Sequence, residues 1–422
     1  MKLPRDSITA HDAGIPGASG RKPVRELDGQ KDHPEPSQSK SNTTAHKNAE
    51  PNGRGGKGRK RQAGEASGRT HRSGGEGVPL YAALDLGTNN CRLLIARPTR
   101  RGFQVVDAFS RIIRLGEGVA QSGILSDAAI ERTLDALKVC AQKMVRNEVT
   151  RSRLVATEAC RAADNGVSFI EQVKRDIGME LEILSREEEA QLAVSGCASL
   201  IDEACDHALV FDIGGGSSEL IWLDIAKRRA NWNASLAERL EATECISAWT
   251  SLPVGVVSLA EKFGGRHVGV DDFEDMVRWV SSLLKPFEEE HNFAARIAEG
   301  RVHFLGTSGT VTTVAGIQLR LPRYDRRRVD GCWLACTDVR KVTNNLLAQT
   351  YEQRVAEPCI GRDRADLVLA GCAILEALMR AWPTKRLRVA DRGLREGMLA
   401  TMMAADGYRT LPPPPGGRRA RS

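Results

Sequence analysis

Two Asp-x-Gly turns hold the residues of this chain best suited to chemistry. Asp85-Leu86-Gly87-Thr88-Asn89-Asn90 follows the apolar run Leu80–Leu84 and leads into Cys91–Ile95. Asp212-Ile213-Gly214-Gly215-Gly216-Ser217-Ser218 follows Ala208–Phe211 and leads into Leu220–Leu223. Both read as strand, glycine-rich turn, strand, whereas a P-loop or a Rossmann turn leads into a helix. Glycine lets the backbone approach a phosphate and turn its N–H groups inward. Thr88, Asn89, Ser217 and Ser218 add side-chain donors, and a carboxylate at a strand end can hold Mg²⁺ or orient a water. One such turn alone reads as a structural hairpin. Two matched turns point to two half-domains facing each other across a phosphate cleft.

Other groups are compatible with that chemistry, each beside a plainer reading. Gly306-Thr307-Ser308-Gly309-Thr310 runs from a strand into a helix and can aim N–H groups at an anion, or simply cap the helix. Glu158 and Arg161, just after a short strand, could serve as a base for water and a phosphate clamp, or as an exposed ion pair. Ser185 with Glu188 three positions on is a capping box, and Glu187 and Glu189 suit the positive end of a helix. Arg320, Arg323 and Arg326–Arg328 form the one dense basic run of the body, a track for a polyanion or a solvated turn. The body histidines, His207, His267, His291 and His303, form no metal-ligand spacing, and no Gly-x-Ser-x-Gly elbow occurs, which argues against a His-metal or serine hydrolase.

The elements that must position these residues alternate between strand and helix, so the chain reads as α/β. Strand-like runs cover 79–85, 91–97, 103–109, 153–156, 181–184, 208–212 and 302–305; helices are expected after Ser126 and Ser185 and over 167–177, 364–381 and 392–405. The stripe Ile130, Leu134, Leu137, Ala141 and Met144 marks the core face of the first long helix. Of the formal charge of +7, residues 1–78 carry +6 and 411–422 carry +3, which leaves the body at −2 and gives no warrant for specific nucleic-acid binding. Residues 1–78 and 409–422 are too polar to bury a core and are expected to be disordered tails. The boundaries expected are 79–206 for a first lobe and 207–408 for a second. No apolar run reaches the roughly 20 residues of a membrane span, and no signal-peptide pattern opens the chain, so the expectation is a cytoplasmic protein. The ten scattered cysteines read as reduced, mostly buried residues.

Leu84-Asp-Leu-Gly-Thr-Asn-Asn-Cys-Arg-Leu, Arg114-Leu-Gly-Glu-Gly118, Ala156-Thr-Glu-Ala-Cys-Arg161, Ser185-Arg-Glu-Glu-Glu-Ala190, Phe211-Asp-Ile-Gly-Gly-Gly-Ser-Ser-Glu219, Leu252-Pro-Val-Gly-Val256, Gly306-Thr-Ser-Gly-Thr310 and Asp391-Arg-Gly-Leu-Arg-Glu-Gly397 resemble, in order and spacing, motifs of the exopolyphosphatase/guanosine pentaphosphate phosphatase (Ppx/GppA) family. The resemblance covers about 79–405 and is to the short, two-domain form. It implies two actin-like (ribonuclease H-like) lobes of the sugar kinase/Hsp70/actin superfamily. It further implies a metal-assisted phosphoanhydride hydrolase using Mg²⁺ or Mn²⁺. By the resemblance, Glu158 is the general base and Arg161 a phosphate contact. Asp85, Gly87, Thr88, Asn89, Asn90, Arg92, Gly214, Gly215, Gly216, Ser217 and Ser218 form the cradle, joined by Gly306, Thr307, Ser308 and Gly309. Asp212, Glu187 and Glu189 organise the metal. Asn90 and Ser218 stand where the family usually has Ser and Thr, and both keep hydrogen-bonding capacity. The implied substrate is inorganic polyphosphate, or alternatively guanosine pentaphosphate; a homodimer is compatible with this. A sensor that binds such a polyanion without turnover, and a sugar kinase of the same fold, are the readings of other classes.

Overall fold

The computed structural model describes residues 78–100, 102–202, 204–226 and 245–408. The expected tails lie outside these residues, apart from Val78. β1 (Tyr81–Leu86), β2 (Asn90–Thr99) and β3 (Gly102–Ile112) form an antiparallel meander, and β4 (Arg151–Ala156) and β5 (Glu182–Ile183) continue from β1 in parallel, in the order β3-β2-β1-β4-β5. The second sheet repeats the plan. β6 (His207–Ile213), β7 (Ser218–Asp224) and β8 (Ile246–Leu252) form the meander; β9 (Val302–Thr307) and β11 (Arg386–Ala390) run parallel to β6, and β10 (Trp333–Ala335) adds an antiparallel edge. Each lobe therefore has the actin-like fold that the family resemblance implies.

β1 and β6 are buried on both faces, which is why their sequences read as unbroken apolar runs rather than alternating ones. The outer face of the first sheet, with Leu84, Leu86 and Leu93, packs on α1 (Asp127–Arg146) and, beyond α2 (Glu158–Ala162), on α3 (Gly166–Ile177). In α1 the deepest residues are Ala129, Thr133, Ala136, Leu137 and Cys140, while Ile130, Leu134, Ala141 and Met144 of the expected stripe flank them. In the second lobe α5 (Val256–Phe263), α6 (Val270–His291), α7 (Gly309–Gln318) and α8 (Val368–Ala381) cover the outer face. From Val368 to Met379 every residue of α8 is buried, and Glu376, the one charged residue among them, is paired with Arg340 and Arg380.

The inner faces meet a crossed helix pair. α4 (Arg186–Cys197) packs Val194 and Cys197 on the second sheet and turns Leu192 toward the first. The final helix, α9 (Leu394–Ala405), places Leu394, Met398, Leu399 and Met402 on Tyr81, Ala83 and Leu94 of the first sheet. The last helix of the second half thus returns to the first sheet. Only glycine allows the crossing: a Cβ on Gly397 would lie 2.1 Å from Leu192 O, and one on Gly196 would lie 1.9 Å from Gly393 O.

Candidate active site

The two Asp-Gly turns are built alike. Gly87 N donates to Asn90 O and Gly214 N to Ser217 O, each at 2.9 Å. Each aspartate is the last inner-face residue of its strand. The register then sets their partners. Asp85 lies opposite Arg92, whereas Asp212 lies opposite Glu219, a second carboxylate. Like charges directly across a strand pair repel. Burial, then Glu219 and Asp85, push Asp212 up to about 7. Burial also raises Asp85, with Arg92 and Arg395 pulling the other way. Glu219 is raised by burial although Ser217 Oγ and Ser251 Oγ donate to it at 2.7 and 3.0 Å.

The turns meet across the lobes. A Cβ on Gly215 would lie 2.8 Å from Thr88 Cβ, and one on Gly216 would lie 2.9 Å from Thr88 Oγ1 and 3.1 Å from Glu158 Cγ. Around this contact is a cleft lined by Asp85, Gly87–Asn90, Arg92, Thr157, Glu158, Asp212–Ser217, Val256, Ser308–Thr310, Thr313, Arg364, Leu367 and Val368. Asn89 Oδ1, Asn90 Oδ1 and Ser308 Oγ are buried there without a hydrogen-bond partner, which is the state of groups awaiting a ligand or water. Ser308 sits at φ 120° between β9 and α7, a strained conformation for a residue with a Cβ. Arg92 and Arg364 reach the cleft and form no ion pair among the described residues.

Strand ends deliver the remaining groups. Glu158 follows β4, where Thr157 N donates to Leu86 O at 3.1 Å. Both its oxygens are occupied: Arg161 Nη2 lies 2.7 Å from Oε2 and Arg186 Nη2 lies 2.9 Å from Oε1. The same Arg161 nitrogen is 3.0 Å from Glu189 Oε2, on the first turn of α4. Glu189 is raised well above an ordinary glutamate, first by burial and next by Glu219, with Arg161 opposing.

Several expected residues lie elsewhere. Glu187 is exposed and accepts from Gln191 Nε2 at 3.3 Å. Two positions along a helix turn a side chain through about 200°, so Glu187 and Glu189 do not act together. Ser185 caps α4 by accepting from Glu188 N at 3.1 Å, but Glu188 reaches out to Arg153 instead of closing the box. Gly306 and Thr307 belong to β9 rather than to a loop: Gly306 packs against Phe211, and Thr307 donates to Arg392 O at 3.0 Å. Ser218 donates to Val254 O at 2.7 Å and ties the second turn to the chain after β8. Arg326 is consumed by Glu396 at 2.7 Å and by Asp391, so it is not part of an open basic track. Glu219, Arg364 and Arg395 were not expected at the site. Glu219 had a local signal, because a hairpin closed by the Gly214–Ser217 turn must place it opposite Asp212.

A model described as the Ppx/GppA phosphatase family matches residues 94–406. A curated relative, the guanosine-5'-triphosphate,3'-diphosphate pyrophosphatase of Photobacterium profundum, is 27% identical over 338 residues, covering 77% of this chain and 60% of the relative. The chain thus spans about 60% of that relative's length. The crystal structure of the Aquifex aeolicus Ppx/GppA family member is 26% identical with a TM-score of 0.61, covering 78% of this chain and 98% of that one. An exopolyphosphatase from Cytophaga hutchinsonii, 24% identical with a TM-score of 0.66 over 77% of this chain and 98% of its own, shares the fold. Among the described residues no helix is long and apolar enough to cross a membrane.

Proposed function

Since the chain belongs to the Ppx/GppA phosphatase family, we propose that it removes the terminal phosphoryl group of a polyphosphorylated substrate by water attack. The observation that carries this reading is the contact of Thr88 with Gly215 and Gly216, which sets two N–H-bearing turns and two half-buried aspartates around one cleft. The turn amides, with Asn89, Asn90 and Ser308, would hold the oxygens on which charge must be stabilised. Arg92 and Arg364, which form no ion pair among the described residues, supply positive charge.

Asp85 and Asp212 fit a divalent cation. Keeping Asp212 ionised where it lies costs on the order of 4 kcal/mol at 1.36 kcal/mol per pKa unit, a penalty that a cation would remove. No cluster of three protein ligands exists among the described residues. Mg²⁺ needs none, because it binds through one or two carboxylates together with substrate phosphates. Bound there, the ion would neutralise phosphoryl oxygens and lower the pKa of water.

The base we propose is Glu189 rather than Glu158. A general base near neutrality needs a raised pKa, which burial and Glu219 give Glu189. Glu158, with a guanidinium on each oxygen, is better placed to hold Arg161. The reading with Glu158 as base keeps one observation in its favour: Glu158 lines the cleft directly.

Inorganic polyphosphate is the first substrate proposed, and guanosine pentaphosphate the second. Two observations favour the second more than the sequence did: Arg326 is withdrawn from the basic track, and the cleft has an apolar wall of Val256, Leu367 and Val368 beside Arg364. The test is orthophosphate release from both substrates by one Mg²⁺-supplemented preparation, compared as kcat/KM. A hundredfold preference for the nucleotide, about 2.7 kcal/mol, would reverse the order. Tight binding of either without release would replace the enzyme by a sensor.

A further inference from the structure

The segment that follows β3 does two things at once. Ile113 N and Arg114 N both donate to Asn89 O, at 2.9 and 3.1 Å, and Gly116 N donates to Thr88 O at 2.9 Å. It therefore grips the first phosphate turn from behind. A Cβ on Gly116 would lie 2.4 Å from Thr88 Cγ2, so the approach is as close as the backbone allows.

The same segment crosses to the second lobe. Arg114 Nη1 lies 2.8 Å from Asp366 Oδ2, and Nη2 lies 3.0 Å from Oδ1 and 3.3 Å from Asp363 O. This is a fork-on-fork ion pair, the geometry in which Arg and a carboxylate hold each other best. The pair is largely sheltered, with side-chain exposures of 31% and 16%. Gly118 N adds a second link, donating to Glu261 Oε1 of α5 at 2.8 Å. Between the links lies a cavity lined by Asn89, Arg114, Glu117, Glu261, Arg266 and Asp366. Arg114 is at φ 48°, a left-handed backbone that a residue with a Cβ keeps only when its surroundings hold it there. Its receiver, Asp366, sits between Arg364 and Leu367, both of which line the cleft. One residue thus joins the phosphate turn of the first lobe to the cleft wall of the second.

We infer that Arg114 is a positioning residue: its backbone sets the Thr88–Asn89 turn, and its ion pair with Asp366 latches the lobes closed over the cleft. This rests on the reading of that cleft as the substrate site. A substrate that needs the closed arrangement binds with an affinity reduced by the closed fraction. Loss of the latch therefore raises KM and leaves kcat at saturation nearly unchanged, because saturating substrate restores closure.

The test compares Arg114→Ala, the milder Asp366→Asn, and the exchange Arg114→Asp with Asp366→Arg, all in the full chain. Steady-state orthophosphate release from inorganic polyphosphate with Mg²⁺ gives KM and kcat. Hydrogen–deuterium exchange of the substrate-free protein reports on peptides covering 86–90 and 213–217, with β6 and α8 as the folding control. Each single change is expected to raise KM about tenfold, to leave kcat within about twofold, and to speed exchange in both turns but not in the control. The exchanged pair should recover most of both effects. Unaltered KM and unaltered turn exchange in both single variants would overturn the latch, as would a fall in kcat at constant KM. If the unmodified protein releases no phosphate, the phosphatase reading fails while the exchange data still decide the latch.

Discussion

Glu158 and Glu189 share one nitrogen of Arg161, at 2.7 and 3.0 Å. Glu158 has a second guanidinium, from Arg186, and Glu189 has none besides Arg161 among the described residues. Two carboxylates on different helices thus compete for one arginine, and the competition separates their roles. Glu189→Gln should lower kcat by about 10²–10⁴-fold, the range for losing a general base, with the fold retained. Glu158→Gln should cost less, because a glutamine can still accept from Arg161. Single-turnover phosphate release from both purified variants decides the matter, and the reverse order of severity would return the base to Glu158.

Asp212 makes stability depend on pH in a definite direction. Its pKa in the fold is about 7, against an ordinary value of 3.8. Between those values the folded state holds a proton that the unfolded state has lost, so stability falls as pH rises through that window. Asp85 and Glu219 shift in the same sense. In EDTA the melting temperature should be lower at about pH 8 than at about pH 5. Mg²⁺ should raise it more at the higher pH, where the carboxylates are charged, and Asp212→Asn should shrink that difference. An equal Mg²⁺ effect at both pH values in both proteins would remove Asp212 from the metal site.

Two glycines should fail in different ways. Gly397→Ala drives a methyl group to 2.1 Å from the Leu192 carbonyl, backbone that cannot step aside. It should destabilise by at least the 1–3 kcal/mol typical of overpacking, roughly, and lower the thermal midpoint. The atoms nearest the methyl group of Gly216→Ala are side-chain atoms, Thr88 Oγ1 and Glu158 Cγ, at 2.9 and 3.1 Å. Its midpoint should stay close to normal while turnover drops, because the turns can no longer close on one another. A midpoint loss in Gly216→Ala as large as in Gly397→Ala would contradict this division.

Arg326 and its neighbours should separate as well. Arg326 bonds Glu396, which also caps α9 by accepting from Gly393 N at 3.0 Å. Arg326→Ala leaves that buried carboxylate one partner short and should destabilise by about 1–3 kcal/mol, the cost of a buried acceptor that loses a hydrogen bond, lessened by the partial exposure of Arg326. Arg327 and Arg328 are exposed, and reversing both should change stability little. If a basic track leads polyphosphate away from the cleft, that reversal should weaken cleavage at low salt and not at high salt. Stopped-assay rates on long chains at two ionic strengths measure it.

The sequence alone determined the local chemistry. Strand, glycine turn and strand could be read at 85–90 and 212–218 because hairpin signals are local, and the caps at Ser126 and Ser185 formed as their residue types dictate. The duplicated lobes followed from two such openings in a chain of alternating elements. What the tertiary structure decided were distances between residues far apart in the chain. Arg326 reads as a solvated base until Glu396 is seen beside it, and Glu187 and Glu189 read as a pair until the helix turns one outward. The return of α9 to the first lobe carries no local signal, because its apolar face would suit either sheet. Glu189 acquires its proton affinity only when β7 brings Glu219 near it and burial removes water. Electrostatics depend on separation and desolvation, and both quantities exist only after the chain has packed.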